Sequence, residues 1–303
     1  MQRLKKVLIV IYYFLVLYLP NFFRELFLLK DRDKSIAVKS YLNFKWGKWK
    51  YQNWGDDMNV FLCELWFGKK LINYATSILS WQSKKPNYAL IGSILQTANK
   101  NTIVWGSGLI SRNELPKEQP KKICAVRGPL SREVLLDNGF SCPGIYGDPI
   151  LLLPKFYKPE VSVRWEVGII PHIHDEDNPI IKKYLKEHSE ATLISMQGYE
   201  KWENLVLKIC SCRFIVSSSL HGLIVSDAYG IPNVWVEFSD KVYGDGFKFR
   251  DYFASVNRSV ETAVELRSVD DMDSVMTKKS EYEPINIDLN PLISSCPFNL
   301  PFK

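Results

Sequence analysis

From Ser35 onward the chain alternates short runs of β-branched and aromatic residues with amphipathic stretches of helical period, and this alternation restricts its fold more than any other feature. Strand and helix in regular succession are the sequence form of the βαβ unit, which builds mainly parallel sheets covered by helices. An α/β fold follows. The pattern predicts strands over 36–42, 88–91, 102–105, 123–126 and 144–146, with helices over 57–67 and 131–138. Ser131 supplies a capping hydroxyl for the second helix, and Asn138-Gly139 a left-handed stop. The stretch Leu153 to Pro159, with two prolines and little periodicity, reads as a connection. Beyond it a second series begins, with strands over 167–170, 192–195, 214–217 and 233–236 and helices over 180–187, 199–210 and 223–229. The chain therefore divides into an amino-terminal segment, 1–30, and two domains, 31–158 and 159–303. Two such sheets leave a cleft at the carboxyl ends of their strands, where open α/β sheets bind ligands.

The amino-terminal segment has a basic start, Arg3, Lys5 and Lys6, and then an unbroken apolar and aromatic run from Val7 to Leu19. That run is shorter than the ~20 residues a helix needs to cross hydrocarbon. After Pro20, an apolar stretch carrying Arg24 and Glu25 extends to Leu29, as expected of a helix lying in the membrane interface. No small-residue cleavage site follows the apolar core. The reading is a monotopic anchor with its basic end on the cytoplasmic side; a first core strand over 7–10 is the alternative.

The formal charge of +6 suits an enzyme that gathers phosphorylated substrates or lies against an anionic membrane. No basic stripe interleaved with aromatics forms a nucleic-acid module, so no nucleic-acid partner is expected. The six cysteines include no CxxC pair and no zinc spacing, which predicts reduced, mostly buried thiols and no metal.

Several strand ends carry polar residues suited to binding. Asn53-Trp54-Gly55-Asp56 precedes a predicted helix: Gly55 lets backbone approach a ligand, and Asn53 and Asp56 offer hydrogen bonds, or the group forms an Asx turn capping the helix. Gly106-Ser107-Gly108 turns out of a strand and can present backbone N–H groups to an anion. Arg127 stands between a strand and a helix, where its planar fork suits a carboxylate or phosphate; pairing with a neighbouring acid is the alternative. Asp148, in Gly147-Asp148-Pro149, forms a turn, with its carboxylate pointing into the cleft as the alternative. His172 follows the first strand of the second domain and reads as a cleft residue, with a metal pair alongside His174 as the alternative.

The strongest local signal is Phe214 to Gly222, where a buried strand delivers Ser217, Ser218 and Ser219, then Leu220, His221 and Gly222, to the start of a helix. Helix N-termini attract phosphate and carboxylate, and His221 is placed to titrate near neutrality and donate a proton.

Together, Asn53-x-Gly55-Asp56, Trp105-Gly106-Ser107-Gly108, Arg127-Gly128-Pro129-Leu130-Ser131, Gly147-Asp148-Pro149 and Ser219-Leu220-His221-Gly222 with Ala228-Tyr229-Gly230-Ile231-Pro232 resemble the polysaccharide pyruvyl transferase family. The resemblance runs over about residues 36 to 255. It implies two Rossmann-like domains arranged as in GT-B glycosyltransferases, phosphoenolpyruvate as donor without a further cofactor, and a sugar acceptor bearing two free hydroxyls. It also implies a place in exopolysaccharide or capsule biosynthesis, with a polyprenyl-linked acceptor worked on at the cytoplasmic face of the membrane. His221 is then the acid and Arg127 the anion holder. Members often carry Arg before the Leu-His pair, where this chain has Ser219, which shifts the charge requirement to Arg127, the helix N-terminus and either Lys248 or Arg250. A GT-B glycosyltransferase using a nucleotide sugar is the alternative.

Overall fold

The computed structural model describes residues 2–28, 34–45, 48–82 and 84–302. The chain begins with one helical rod, α1 (Gln2–Tyr13), a π-helical stretch Phe14–Tyr18 and α2 (Leu19–Leu28). The interruption expected at Pro20 does not occur. Proline lacks an N–H and its ring crowds the carbonyl four residues earlier, here that of Val16. Widening the helix around that carbonyl accommodates the ring without ending the rod. Leu4–Leu28 thus forms 25 helical residues, with an 18-residue window of mean hydropathy 1.8, long and apolar enough to cross a membrane by length and composition. Only the first half is free, however. Val16, Asn21 and Glu25 are buried against the first domain, Asn21 bonds Thr76, and Tyr18 meets Trp81 edge to face at 5.8 Å. Leu4 to Leu15 remain exposed, a rod of roughly 18 Å against the ~30 Å of a hydrocarbon core. Leu29 lies outside the described residues.

The first domain follows as β1 (Ser35–Val38), a hairpin of β2 (Asn43–Lys45) and β3 (Lys48–Lys50), α3 (Trp54–Phe67), β4 (Lys70–Asn73), α4 (Ile78–Gln82), β5 (Asn87–Ala89), β6 (Thr102–Trp105), β7 (Lys122–Ala125) and α5 (Pro129–Asp137). Five strands form a parallel sheet in the order β4-β1-β5-β6-β7. The edge strand β4 and the hairpin were not expected, because their lysines break the apolar pattern of a buried strand. The expected strand over 144–146 reduces to a single bridge between Val126 and Tyr146. Ser131 does not cap α5: the helix starts earlier, at Pro129, with Gly128 as its cap, and ends as expected with Gly139 left-handed at φ 79°. The connection expected over 153–159 also differs. Pro149–Lys155 forms a 3₁₀ helix whose Ile150, Leu151, Leu152 and Leu153 are all buried in the core.

The second domain comprises β8 (Trp165–Ile170), α6 (Pro179–Glu187), β9 (Ala191–Leu193), α7 (Trp202–Cys210), β10 (Cys212–Ser217), α8 (Leu220–Ala228), β11 (Asn233–Glu237), α9 (Phe247–Ser255) and β12 (Val264–Glu265), with α10 (Val269–Val275) and α11 (Asn290–Ser294) at its end. Its five parallel strands run in the order β12-β11-β10-β8-β9. After α11 the chain crosses back to the first sheet: Trp105 donates to the Leu292 carbonyl at 2.9 Å, and Phe298 packs on Phe67 and Tyr88.

One apolar core runs through both domains, joining Trp54, Met58 and Leu62 of α3 to Tyr199, Trp202 and Leu205 across the boundary. Buried hydrogen bonds reinforce it. Trp54 donates its backbone N–H to Met196 O and its indole N–H to Trp202 O, both at 2.8 Å, and Tyr199 donates to Asp57 at 2.8 Å. A second joint forms where Asp251 of α9 meets the start of α5. It accepts from Ser131 N at 2.8 Å and Ser131 Oγ at 2.7 Å and pairs with Arg127 at 2.9 Å.

Candidate active site

The central strand β10 ends at Ser217, and the next two residues turn the chain into α8. Two of the three hydroxyls are consumed by that turn. Ser217 Oγ donates toward Ile170 O or Ser219 O and accepts from Ser219 N at 3.0 Å, while Ser218 Oγ accepts from His172 N at 2.8 Å. Both serines are fully buried, so Ser218 positions β8 and His172 rather than facing a ligand. Ser219 is the helix cap, and its hydroxyl makes no cap hydrogen bond. Leu220 packs into the shared core. Gly222 serves packing too: a Cβ there would lie 2.6 Å from Ser217 Oγ and 2.9 Å from Ile170.

The next residue, His221, reaches across the domain boundary to the start of α3. Its ring lies against Gly55 so closely that a Cβ on that residue would lie 2.5 Å from Cε1 and closer still to Nδ1. The glycine is thus required for approach, although the partner is a protein side chain. Asn53 caps α3 by accepting from Gly55 N at 3.2 Å, and Asp57 accepts from Asn53 N at 3.0 Å. Asp56 is left with its carboxylate turned toward Gly92, at the end of β5.

Lys248, on α9, completes the group, and mutual electrostatics reveal the grouping. Burial, then Asp57, pushes the Asp56 carboxyl up to about 7, with Lys248 opposing. Burial, then Arg127 and Lys248, pushes His221 down to about 3. Lys248 itself is pushed down to about 8 by burial and Arg127, with Asp56 opposing. His172 is held at about 4 by burial, Lys248 and His174. The expectation that His221 titrates near neutrality is therefore not met, because two cations and the loss of water disfavour its charged form. Asp56 is the group poised there.

Arg127 is 1% exposed and saturated by neighbours: Asp251, Ser93 Oγ at 2.6 Å and Leu109 O at 2.7 Å. Its charge acts on His221 and Lys248, but its fork is committed to protein groups. The acid that pairs with it is not a sequence neighbour but Asp251, 124 residues away, which no local pattern reveals. The Gly106-Ser107-Gly108 turn is likewise used internally. Gly106 N and Gly108 N bond to Ala125 O and Gly92 O, and Ser107 Oγ donates to Gly92 O. A Cβ at Gly106 would lie 2.6 Å from Pro149 Cγ, and one at Gly108 2.6 Å from the Arg127 guanidinium. Asp148, 1% exposed, caps the 3₁₀ helix through Oδ1.

The family model for polysaccharide pyruvyl transferase matches residues 3–240, which takes in both halves of this site up to α8. The chain belongs to the polysaccharide pyruvyl transferase family. Similar proteins are found in distant sources. The uncharacterized protein L143 of Acanthamoeba polyphaga mimivirus is 31% identical over 206 residues, which span 67% of this chain and 70% of that protein. The succinoglycan biosynthesis protein ExoV of Rhizobium meliloti (strain 1021) is 26% identical over 218 residues, 67% of this chain and 62% of ExoV. As a pyruvyl transferase the chain is an enzyme, and its activity class is pyruvyl transfer to a polysaccharide. Lys248 and Asp251 lie beyond the matched residues; Asp251 joins the site through its bonds to Arg127 and Ser131, and Lys248 through its charge acting on Asp56 and His221.

Proposed function

We propose that this pyruvyl transferase takes phosphoenolpyruvate as donor and builds a cyclic pyruvate ketal on a sugar of a polyprenyl-linked polysaccharide precursor, at the cytoplasmic face of the membrane, with no cofactor and with its two Rossmann-like domains in a GT-B-like arrangement. The observation that carries this reading is the seating of His221 against Gly55 at two helix N-termini, within the electrostatic reach of Lys248 and Arg127, with Asp56 acted on by the same lysine. Phosphoenolpyruvate brings a carboxylate and a phosphate. The uncapped start of α8, Ser219 and the Lys248 ammonium supply donors and positive charge for them, and Arg127 adds its field from behind. Lys248 thereby does the work of the Arg that relatives of this resemblance carry where Ser219 stands.

The proton inventory assigns the roles. Transfer requires a proton on the methylene carbon, addition of a sugar hydroxyl to the resulting cationic carbon, departure of phosphate with its C–O bond, and closure by a second hydroxyl. Asp56, which holds its proton near neutrality, is the acid; neutral His221 accepts the first hydroxyl's proton and returns it to the departing phosphate, and the Asp56 carboxylate left by the first step takes the second hydroxyl's proton. An anionic donor beside Lys248, within the field of Arg127, offsets the charges that depress His221, so the base strengthens once the donor is bound. The test is phosphate release from phosphoenolpyruvate in the presence of lipid-linked mono- and disaccharides. Release only with an acceptor, and thermal protection by phosphoenolpyruvate but not by UDP or GDP, is the expected result. Protection by a nucleotide alone overturns it in favour of a nucleotide-sugar glycosyltransferase.

A further inference from the structure

The hairpin β2–β3 is placed between the end of β1 and the start of the active-site helix, and its charges are arranged against its own stability. Lys45 and Lys48 face each other across the ribbon. Lys50, two residues beyond Lys48, lies on the same face because side chains alternate along a strand. Like charges directly opposite in an antiparallel pair are destabilising. Lys48 and Lys50 are exposed, and none of the three lysines has an ion-pair partner among the described residues. The acid beside them, Glu64, is already paired with Lys70 at 2.9 Å. The opposite face is anchored: Trp49 packs on the core and carries the Arg24 guanidinium 5.0 Å above its ring.

Between this hairpin and the end of α2 lies a groove of about 470 Å³, lined by Arg24, Lys48 and the Lys70–Glu64 pair together with Phe27, Trp49 and Tyr51, so that its cations outnumber its one acid. Cations and apolar rings in one groove suit a phosphate joined to a hydrocarbon chain. The outer side of α2 continues the apolar surface of α1, with Phe23 60%, Leu26 41% and Phe27 73% exposed at helical spacing. A helix that is apolar outward and flanked by lysines on one side is built to lie in a bilayer interface, not to stand across it.

We infer that the β2–β3 hairpin and the groove beside α2 bind the phosphate headgroups of an anionic bilayer, seating the chain on the membrane alongside its apolar helix. This rests on the membrane reading of the amino-terminal helix proposed above, and adds to it a specific charged contact. The contact is with lipid phosphates, since the apolar residues of groove and helix would have no counterpart on a free anion.

The test uses the full chain in flotation with vesicles of phosphatidylcholine alone or mixed with phosphatidylglycerol. The triple variant Lys45→Gln, Lys48→Gln, Lys50→Gln is expected to lose up to about 100-fold in partitioning onto the phosphatidylglycerol vesicles, from roughly a fivefold effect per lysine near such a surface. Its binding to phosphatidylcholine should be unchanged, and the matching Lys→Arg triple should bind like the parent. A control triple on α6, Lys182→Gln, Lys183→Gln, Lys186→Gln, removes the same charge elsewhere and should have little effect. Equal losses from both Gln triples, or none from the hairpin triple, would overturn the inference. So would a hairpin-dependent affinity for soluble polyphosphate with none for vesicles. The anchor is tested separately by Leu8→Gln, Ile11→Gln, Leu15→Gln, which should abolish binding to phosphatidylcholine. Persistence of that binding sinks the anchor while leaving the hairpin comparison readable.

Discussion

The His221 ring occupies the space that a side chain on Gly55 would need, so two residues 166 positions apart, on helices of different domains, fix each other at the centre of the site. Gly55→Ala should push the imidazole out of this seat and change its position relative to Lys248. Misplacement of this order costs about 10²-fold in turnover. Phosphate release should fall by that factor, while circular dichroism and the affinity of the hairpin for vesicles stay near those of the parent.

Asp56 must carry its proton to serve as the acid. Since burial and Asp57 push it up to about 7, turnover should decline as pH rises through that value. Asp56→Asn should cost 10²- to 10⁴-fold, as removal of a general acid typically does, and its residual rate should lack the alkaline decline. An unaltered pH–rate profile in that variant would return the acid role to His221.

His221 also links stability to pH. Its folded value, about 3, lies below the ordinary 6.5, so the neutral ring contributes stability above pH 6.5 that is lost as pH falls through about 3. Denaturant midpoints of the parent and of His221→Asn, measured in parallel, should converge or cross as pH is lowered across that interval. A constant difference between the two would contradict the burial of this ring beside cations.

Asp251 accepts from Ser131 and pairs with Arg127 where both partners are almost fully buried. Asp251→Ala leaves the guanidinium uncompensated and should cost about 3–5 kcal/mol of unfolding free energy, as breaking a buried pair does. Urea titration checks the figure. Arg250→Ala, one residue away and half-buried, should cost far less.

The parallel strands were legible because buried β-branched runs such as Thr102–Trp105 and Phe214–Ser217 stand between clear turn residues. Strand β4 and the hairpin were not, since Lys70, Lys45, Lys48 and Lys50 belong to edges that face water or a partner. At the site, Gly55, Asp56, His221 and Lys248 were all visible as residues, yet their meeting was not. That meeting depends on Asp251 and Tyr199, whose partners lie more than a hundred positions away, and sequence period reports only neighbours. Several glycines and serines with the composition of a binding loop, Gly106, Ser107, Ser218 and Gly222, proved to hold protein to protein. Composition cannot distinguish a turn that awaits a ligand from one already filled.

The two joints across the domain boundary, Trp54 and Asp57 with Met196, Trp202 and Tyr199, and Arg127 and Ser131 with Asp251, act as two bolts through one frame. The seat of His221 against Gly55 is therefore set when the chain folds, and loosening either bolt should disturb that seat while changes in outlying loops leave it alone.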